Sequence, residues 1–261
     1  MPSAELNRVS SLFKMIAPRA PAFQASASAR SRATQSWRHP LHRRVHLSPR
    51  LTAAAAAPGA SAVAAPADAA LATLRAAASI PGSVRPSEVL QALVAVEKAK
   101  LKSDDWLAAL TAPGACWRLV YTVPGKDITA ASKEQKGGSG GYFPLAACQK
   151  FDASGFENGV FLGPVGHLTF KGGFQMDGRL LHFDVATMYL GLGPWRLPVS
   201  LKKEVPLEEM DKKTFKALPF FVYAYVGPDI VVARGRSGGV ALWGRADAEW
   251  MASTGAIRVY K

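Results

Sequence analysis

The hydrophobic pattern of the chain changes its period near residue 111, and this change constrains the fold more than any other feature. Upstream, apolar residues recur at a helical spacing of about 3.6, whereas downstream they alternate with polar residues at a period of about two. The alternation predicts strands in nine segments: CWRLVYT, LAACQKF, GVFL, GHLTFKGGF, RLLHFDVATMYL, FFVYAYV, IVVARG, VALWG and AIRVY. GPD at 227–229 and RSGG at 236–239 are typical of hairpin turns. Many short strands joined by glycine-rich turns favour a mainly β protein, either an antiparallel barrel or a sandwich.

Helices are predicted on both sides of this change of period. ADAALATLRAAAS and PSEVLQALVAVEKAKLK precede the strands, and the second carries an apolar stripe and lysines in its last turns. A third helix, PLEEMDKKTFKAL, is predicted to interrupt the strands near 206–218. The sequence therefore divides into a helical segment at 66–110 and a β domain at 111–261.

The first 65 residues differ in composition from the rest and account for most of the basic charge. Nine Lys and Arg face the single acid Glu5, a net charge of +8, whereas the remaining residues carry 23 bases and 18 acids, a net +5. A Ser-, Ala- and Arg-rich segment almost free of acid is typical of an organelle transit peptide or of a disordered basic tail, and composition does not distinguish plastid from mitochondrion. Because the excess lies in this leader, we expect no nucleic-acid partner for the folded part. No apolar run is long enough for a membrane helix, so we expect a soluble or membrane-surface protein.

Signatures of enzymes and metal sites are weak. His182 and Asp184 lie two residues apart on a predicted strand, and His167 lies on a predicted neighbour, but three well-spaced zinc ligands are not recognisable. We interpret them as polar residues of an outer sheet face and expect no enzyme, metal or cofactor. Cys116 and Cys148 form no metal-binding pattern, so buried thiols are favoured over a regulatory disulfide.

Aromatic residues at alternating strand positions are the main candidate for a functional site. If the sheet closes into a small barrel, one face of each strand lines an interior that is either filled by side chains or wide enough for one apolar ligand. The residues themselves leave both possibilities open. The candidate lining residues are Trp117, Leu119, Tyr121, Phe170, Phe183, Tyr189, Tyr223 and Trp243.

The order of several motifs resembles the plastid lipid-associated protein family, also called fibrillins, over residues 68–260. VLQALVAVEKAK corresponds to the helical segment of that family, and PGACWRLVYT contains its W-x-L-x-Y-T strand at 117–122. FENGVFL supplies the Asn-Gly pair at 158–159, and IVVARGRSGGVALWGR supplies the Arg-Gly pair at 234–235. No family motif is recognisable across GHLTFKGGFQMDGRLLHFDVATMYLGLGPW.

The resemblance implies a lipocalin-like barrel and a chloroplast location for the mature protein, at thylakoids or plastoglobules. It also implies a non-enzymatic role in binding or sequestering apolar lipids, quinones or carotenoids, with the candidate residues facing the barrel interior. The alternative is a structural or interaction protein with a filled barrel, which docks on thylakoid membranes or complexes through the lysines around 202–216.

Overall fold

The computed structural model describes residues 61–103, 105–193 and 195–260, so most of the predicted leader at 1–65 lies outside the described residues. Within this part of the chain, six α-helices accompany one antiparallel sheet. The first helix begins five residues upstream of the predicted boundary at residue 66. The helices are α1 (Ser61–Ser79), α2 (Pro86–Ala99), α3 (Trp106–Leu110), α4 (Gly125–Ser132), α5 (Lys212–Ala217) and α6 (Ala248–Thr254).

The sheet confirms the mainly β prediction and contains twelve strands in the described residues. They are β1 (Trp117–Val123), β2 (Gly141–Tyr142), β3 (Ala146–Asp152), β4 (Gly155–Phe161), β5 (Gly166–Gly172), β6 (Phe174–Asp177), β7 (Leu180–Phe183), β8 (Thr187–Leu192), β9 (Trp195–Ser200), β10 (Phe220–Val226), β11 (Ile230–Gly235) and β12 (Val240–Arg245). Neighbours along the sheet follow the order β6-β7-β10-β11-β12-β1-β3-β4-β5-β8-β9, and β2 pairs with β1.

One long, kinked hairpin makes the sheet curl into a lipocalin-like barrel. Gly173 alone separates β5 from β6, and residues 184–186 separate β7 from β8. Across this kink, the Asp184 amide donates to the Gly173 carbonyl at 2.9 Å. β5 pairs with β4 on one side, while β6 pairs with β7, which pairs with β10. The same two stretches of chain therefore join β6 and β7, at one end of the hydrogen-bonded path, to β5 and β8 near its other end.

Gly172 allows the close approach of the two stretches at this kink. A Cβ atom at this position would lie 1.7 Å from the Asp184 carbonyl oxygen. Phe174 pairs with Phe183 and Lys171 pairs with Thr187. The chain therefore advances by three residues on the β5–β6 side and by four residues on the β7–β8 side. The extra residue constitutes a β-bulge, which bends the sheet.

Two apolar layers lie on opposite faces of the sheet. The inner layer lines the barrel with residues from strands all around it, and α3 adds Trp106 and Leu110 at one end. The outer layer joins α1 and α2 to β1, β11 and β12, with Leu74 and Leu93 fully buried against the sheet. The helical segment is thus an integral part of the fold, because its apolar stripe covers the outer face of the barrel.

One strand prediction and one helix prediction in the last third of the chain need correction. AIRVY is not a strand: Ala256–Arg258 forms a 3₁₀ turn after α6, and the Asp247 side chain caps α6 by accepting from the Trp250 amide at 2.7 Å. The helix predicted near 206–218 is confirmed in part, as a 3₁₀ turn at Leu207–Glu209 followed by the short α5. Asp211 lies between the 3₁₀ turn and α5 and caps α5, because its side chain accepts hydrogen bonds from the Lys213 and Thr214 amides.

Candidate ligand site in the barrel interior

Aromatic rings in mutual contact line the interior of the barrel. Phe183 on β7 contacts Phe156 on β4 at a centroid distance of 4.9 Å and Phe221 on β10 at 5.2 Å. Phe221 in turn contacts Trp243 at 5.7 Å and Tyr223 at 6.3 Å. These rings come from strands that are distant in sequence, and the curled sheet brings them together.

Five of the predicted lining residues lie in this interior layer and are buried: Trp117, Leu119, Phe183, Tyr223 and Trp243. Trp117 is held in place at the α3 end of the barrel, where its indole N–H donates to the Leu110 carbonyl at 3.0 Å. Phe170 is half-buried and packs against the same layer. Six of the eight predicted lining residues therefore belong to the interior layer or pack against it.

Tyr121 does not face the interior, so its predicted role as a lining residue is wrong. It packs in the outer layer, and its single hydroxyl proton is shared between the carbonyls of Ser139 at 2.6 Å and Pro86 at 2.9 Å. The pairing of β1 with β12 shifts between Leu119 and Tyr121. This bulge adds one residue and reverses the alternation, which turns Tyr121 towards the helices.

Tyr189 also lies on the outer face, contrary to the prediction. It pairs with Thr169, and the Arg196 guanidinium lies 3.9 Å above the centre of its ring. The neighbouring residue Met188 pairs with Phe170 on the interior side. The bulge at the β7–β8 kink explains the error. Phe183 and Tyr189 are an even number of residues apart, but the extra residue at the bulge places their side chains on opposite faces of the sheet.

Two buried polar groups on the interior face lack a hydrogen-bond partner among the described residues. They are the Tyr223 hydroxyl and the side-chain nitrogen of Gln149, whose residues are 0 % and 2 % exposed. Gln149 pairs with Trp117 across β3 and β1, and directly opposed residues share a face of the sheet. Burial raises the pKa of Tyr223, so its hydroxyl stays protonated. The interior therefore holds two hydrogen-bond donors without acceptors.

Sequence reasoning overlooked Gln149, although a signal was present. Ala147, Gln149 and Phe151 alternate on β3, so the strand pattern alone places the amide on the interior side. The prediction of lining residues rested on alternating aromatic residues, and Gln149 is a polar residue on the same face. A buried amide among rings is a sharper indication of a binding site than another ring, since polar groups in a core normally have partners.

A cleft of about 500 Å³ lies between α1, α3 and the β10–β11 turn. Trp106 and Val226 line this cleft and also belong to the interior layer. The cleft thus approaches the barrel interior at its α3 end.

The structure does not bring the three candidate acid–base residues together. His167 lies on β5 and His182 on β7, and these strands are not neighbours. His182 contacts the rings of Phe215 and Phe220 at 4.5 Å and 5.8 Å, and Asp184 forms an ion pair with Lys202. Burial lowers the pKa of both histidines. The described residues contain no group of three His, Cys, Asp or Glu placed to hold a metal ion.

The two cysteines are free and buried in a third apolar cluster under the C-terminal segment. Tyr260 closes this cluster, since its hydroxyl donates to the Cys148 carbonyl at 2.9 Å. Burial, reinforced by the neighbouring Cys116 thiol, raises the pKa of Cys148. The predicted buried thiols are confirmed.

The fold and site define a class: an antiparallel, lipocalin-like barrel with a helical outer layer and two unpartnered donors among interior aromatic rings. Comparison of the chain with models of protein families finds no match, and a search of curated proteins finds none either. None of the helices in the described ranges is long and apolar enough to cross a membrane. The resemblance to plastid lipid-associated proteins therefore stays a prediction.

Proposed function

We propose that the protein is a fibrillin-like, plastid lipid-associated protein that binds one small apolar lipid or isoprenoid inside its barrel. The observation that carries this proposal is the pair of buried, unpartnered donors, Tyr223 and Gln149, in an aromatic interior. The proposed role is that of a non-enzymatic carrier or store at thylakoids or plastoglobules. The composition of the leader supports import into an organelle. The choice of the plastid rests on the resemblance of the motifs alone.

The two donors suggest the chemistry of the ligand. A buried donor without an acceptor costs about 1–3 kcal/mol, and a ligand oxygen that accepts its proton recovers this cost. Tyr223 and Gln149 both offer N–H or O–H groups, so the complementary head group is a carbonyl or hydroxyl oxygen. Among apolar lipids, quinones and carotenoids, a quinone or an oxygenated carotenoid fits this requirement better than a pure hydrocarbon does.

Apolar contact with the rings supplies the rest of the affinity. Removing apolar surface from water contributes about 25 cal/mol per Å². A ligand tail in contact with the rings of Phe221 and Trp243 would exchange water for aromatic surface. Affinity from this source is insensitive to ionic strength.

The alternative function is that of a docking protein whose interior is simply a packed core. The observation that favours it is the unbroken series of ring contacts from Phe151 through Phe156, Phe183 and Phe221 to Trp243. In this case the protein would bind thylakoid membranes or complexes through the lysines of residues 202–216. Such binding weakens as salt rises, which distinguishes it from ligand burial.

A titration of the purified full chain with a short-tailed benzoquinone tests the proposal, with the matching alkylbenzene as the apolar control. We expect the quinone to quench tryptophan fluorescence with a stoichiometry of one per chain and to bind about tenfold more tightly than the alkylbenzene. Tyr223→Phe and Gln149→Leu should remove this preference, whereas Tyr189→Phe on the outer face should keep it. Equal, weak binding of both compounds by every variant would favour the packed-core alternative.

A further inference from the structure

The β8–β9 hairpin presents an apolar face to solvent. Leu190 opposes Leu197 and Leu192 opposes Trp195, so these side chains lie on the same side of the hairpin. Val199 opposes Met188 on that side as well. We call Leu190, Leu192, Trp195, Leu197 and Val199 the hairpin face.

All five residues of the hairpin face are well exposed, from 42 % for Leu190 and Val199 to 71 % for Trp195. Leu162 and Val165 in the β4–β5 turn are exposed by 57 % and 67 %. This turn adjoins the hairpin tip, because the Gly193 amide donates to the Val165 carbonyl. A continuous apolar patch of this kind marks an interaction surface, whereas single exposed apolar residues do not.

The segments that form the patch contain bases but no acids, although acids border both segments. Residues 158–176 and 185–203 contain no Asp or Glu, and their bases are Lys171, Arg196, Lys202 and Lys203. Two of these bases are in ion pairs, Arg196 with Glu157 and Lys202 with Asp184. Asp177 and Glu204 directly follow the two ranges. Lys171 and Lys203 thus supply the positive charge of these segments that can meet an anionic surface.

The backbone disfavours strand addition by another protein. β9 is the last strand of the sheet path, so its outer edge has no strand partner among the described residues. Pro198 in the middle of β9 lacks an N–H, which is typical of edges protected against pairing. A lipid surface needs no backbone hydrogen bonds from the edge. Tryptophan beside aliphatic residues is also the composition favoured at the membrane–water interface.

We propose that the hairpin face and the adjoining β4–β5 turn are the surface by which this protein docks on an anionic lipid membrane. The hairpin inserts Trp195 and its leucine neighbours among the acyl chains, and the basic residues contact the head groups. The face is continuous with the barrel interior, because Met188 lies between Val199 and Phe170 on the same side of the sheet. Docking here does not depend on an interior ligand, and it uses a different surface from the 206–218 segment.

Vesicle flotation of the full chain tests the inference, with Trp195→Ser/Leu197→Ser as the hairpin variant. Ile80→Ser/Ile257→Ser is the matched control, since these residues are 66 % and 45 % exposed elsewhere. Vesicles of phosphatidylcholine with a minor fraction of phosphatidylglycerol are used at about 1 M NaCl, where a Debye length of about 3 Å suppresses ionic binding by the leader and by the lysines near the hairpin alike. Flotation then reports the insertion of the apolar hairpin face. Thermal unfolding verifies that each variant folds like the wild type.

We expect the wild type and the control to float with the vesicles and the hairpin variant to bind about tenfold less. Equal flotation of the hairpin variant and the wild type would overturn the proposal. Size-exclusion chromatography without vesicles provides a second test. If the wild type were a dimer that the hairpin variant converts to a monomer, the face would be a self-association surface and the lipid proposal would be wrong.

Discussion

Arg234 on β11 forms a two-pronged ion pair with Glu97 near the end of α2. Its Nε and Nη2 atoms lie 2.9 Å and 2.6 Å from the two carboxylate oxygens. A third contact joins Arg234 to the Gly238 carbonyl in the β11–β12 turn. The arginine of the late Arg-Gly motif thus fixes the helical segment and a hairpin turn to the barrel.

Substitution of Arg234 by Lys should destabilise the fold, because one ammonium group cannot replace both prongs and the turn contact. We expect the free energy of unfolding in urea to fall by about 1–3 kcal/mol. Arg85→Gln, which removes an exposed ion pair with Glu88, is the control and should leave the urea midpoint unchanged. An Arg234→Lys variant as stable as the wild type would contradict the assigned role.

Tyr223→Phe should stabilise the ligand-free protein, since it removes a buried hydroxyl without an acceptor. We expect the free energy of unfolding to rise by about 1 kcal/mol. Tyr260→Phe is the matched control: its hydroxyl donates to the Cys148 carbonyl, and its removal should lower stability by about 1 kcal/mol. A Tyr223→Phe variant destabilised as much as Tyr260→Phe would mean that the Tyr223 hydroxyl is already satisfied within the protein.

Acidification should destabilise the protein in part through His182. Burial lowers its pKa in the folded state, so the unfolded chain binds the proton more readily. The stability contribution of the neutral imidazole is complete above the unfolded pKa of about 6.5 and is lost as the pH falls below it. Urea midpoints should therefore drop less for His182→Asn than for the wild type between about pH 7.5 and pH 5. Identical drops would show that His182 has an ordinary pKa.

Cys116 and Cys148 should resist alkylation in the folded protein. Both are buried, and burial raises the pKa of Cys148, which lowers its thiolate fraction. Iodoacetamide followed by mass spectrometry should label neither thiol in buffer and both in urea. Ala252→Cys on the exposed side of α6 supplies a reactive control thiol. Native labelling of Cys148 at the rate of the control would contradict its burial.

Alternation and turn composition predicted most of the sheet, because strands with one buried face repeat apolar residues every second position. They also located the β10–β11 and β11–β12 hairpins. No strand was predicted at β9, although Trp195, Leu197 and Val199 alternate there, and proline is unfavourable inside most strands. In the structure Pro198 is tolerated because β9 is the edge of the sheet.

The errors in the candidate site come from bulges. One extra residue near Val120 turned Tyr121 outwards, and another at 184–186 did the same to Tyr189. A bulge leaves no clear mark in a single sequence, since it depends on the pairing with another strand. Whether Tyr223 and Gln149 find hydrogen-bond partners also depends on which side chains the folded interior places near them. The sequence alone does not show this.

Native mass spectrometry tests the central proposal, an interior site for one oxygen-bearing apolar lipid, most directly. The full chain is incubated with a total plastid lipid extract, repurified and measured beside the Tyr223→Phe/Gln149→Leu variant. We predict one bound quinone, oxygenated carotenoid or other oxygen-bearing lipid per wild-type chain, with most of this adduct lost in the variant. A ligand-free mass for the folded wild type, or the same adduct on both proteins, would contradict the proposed site.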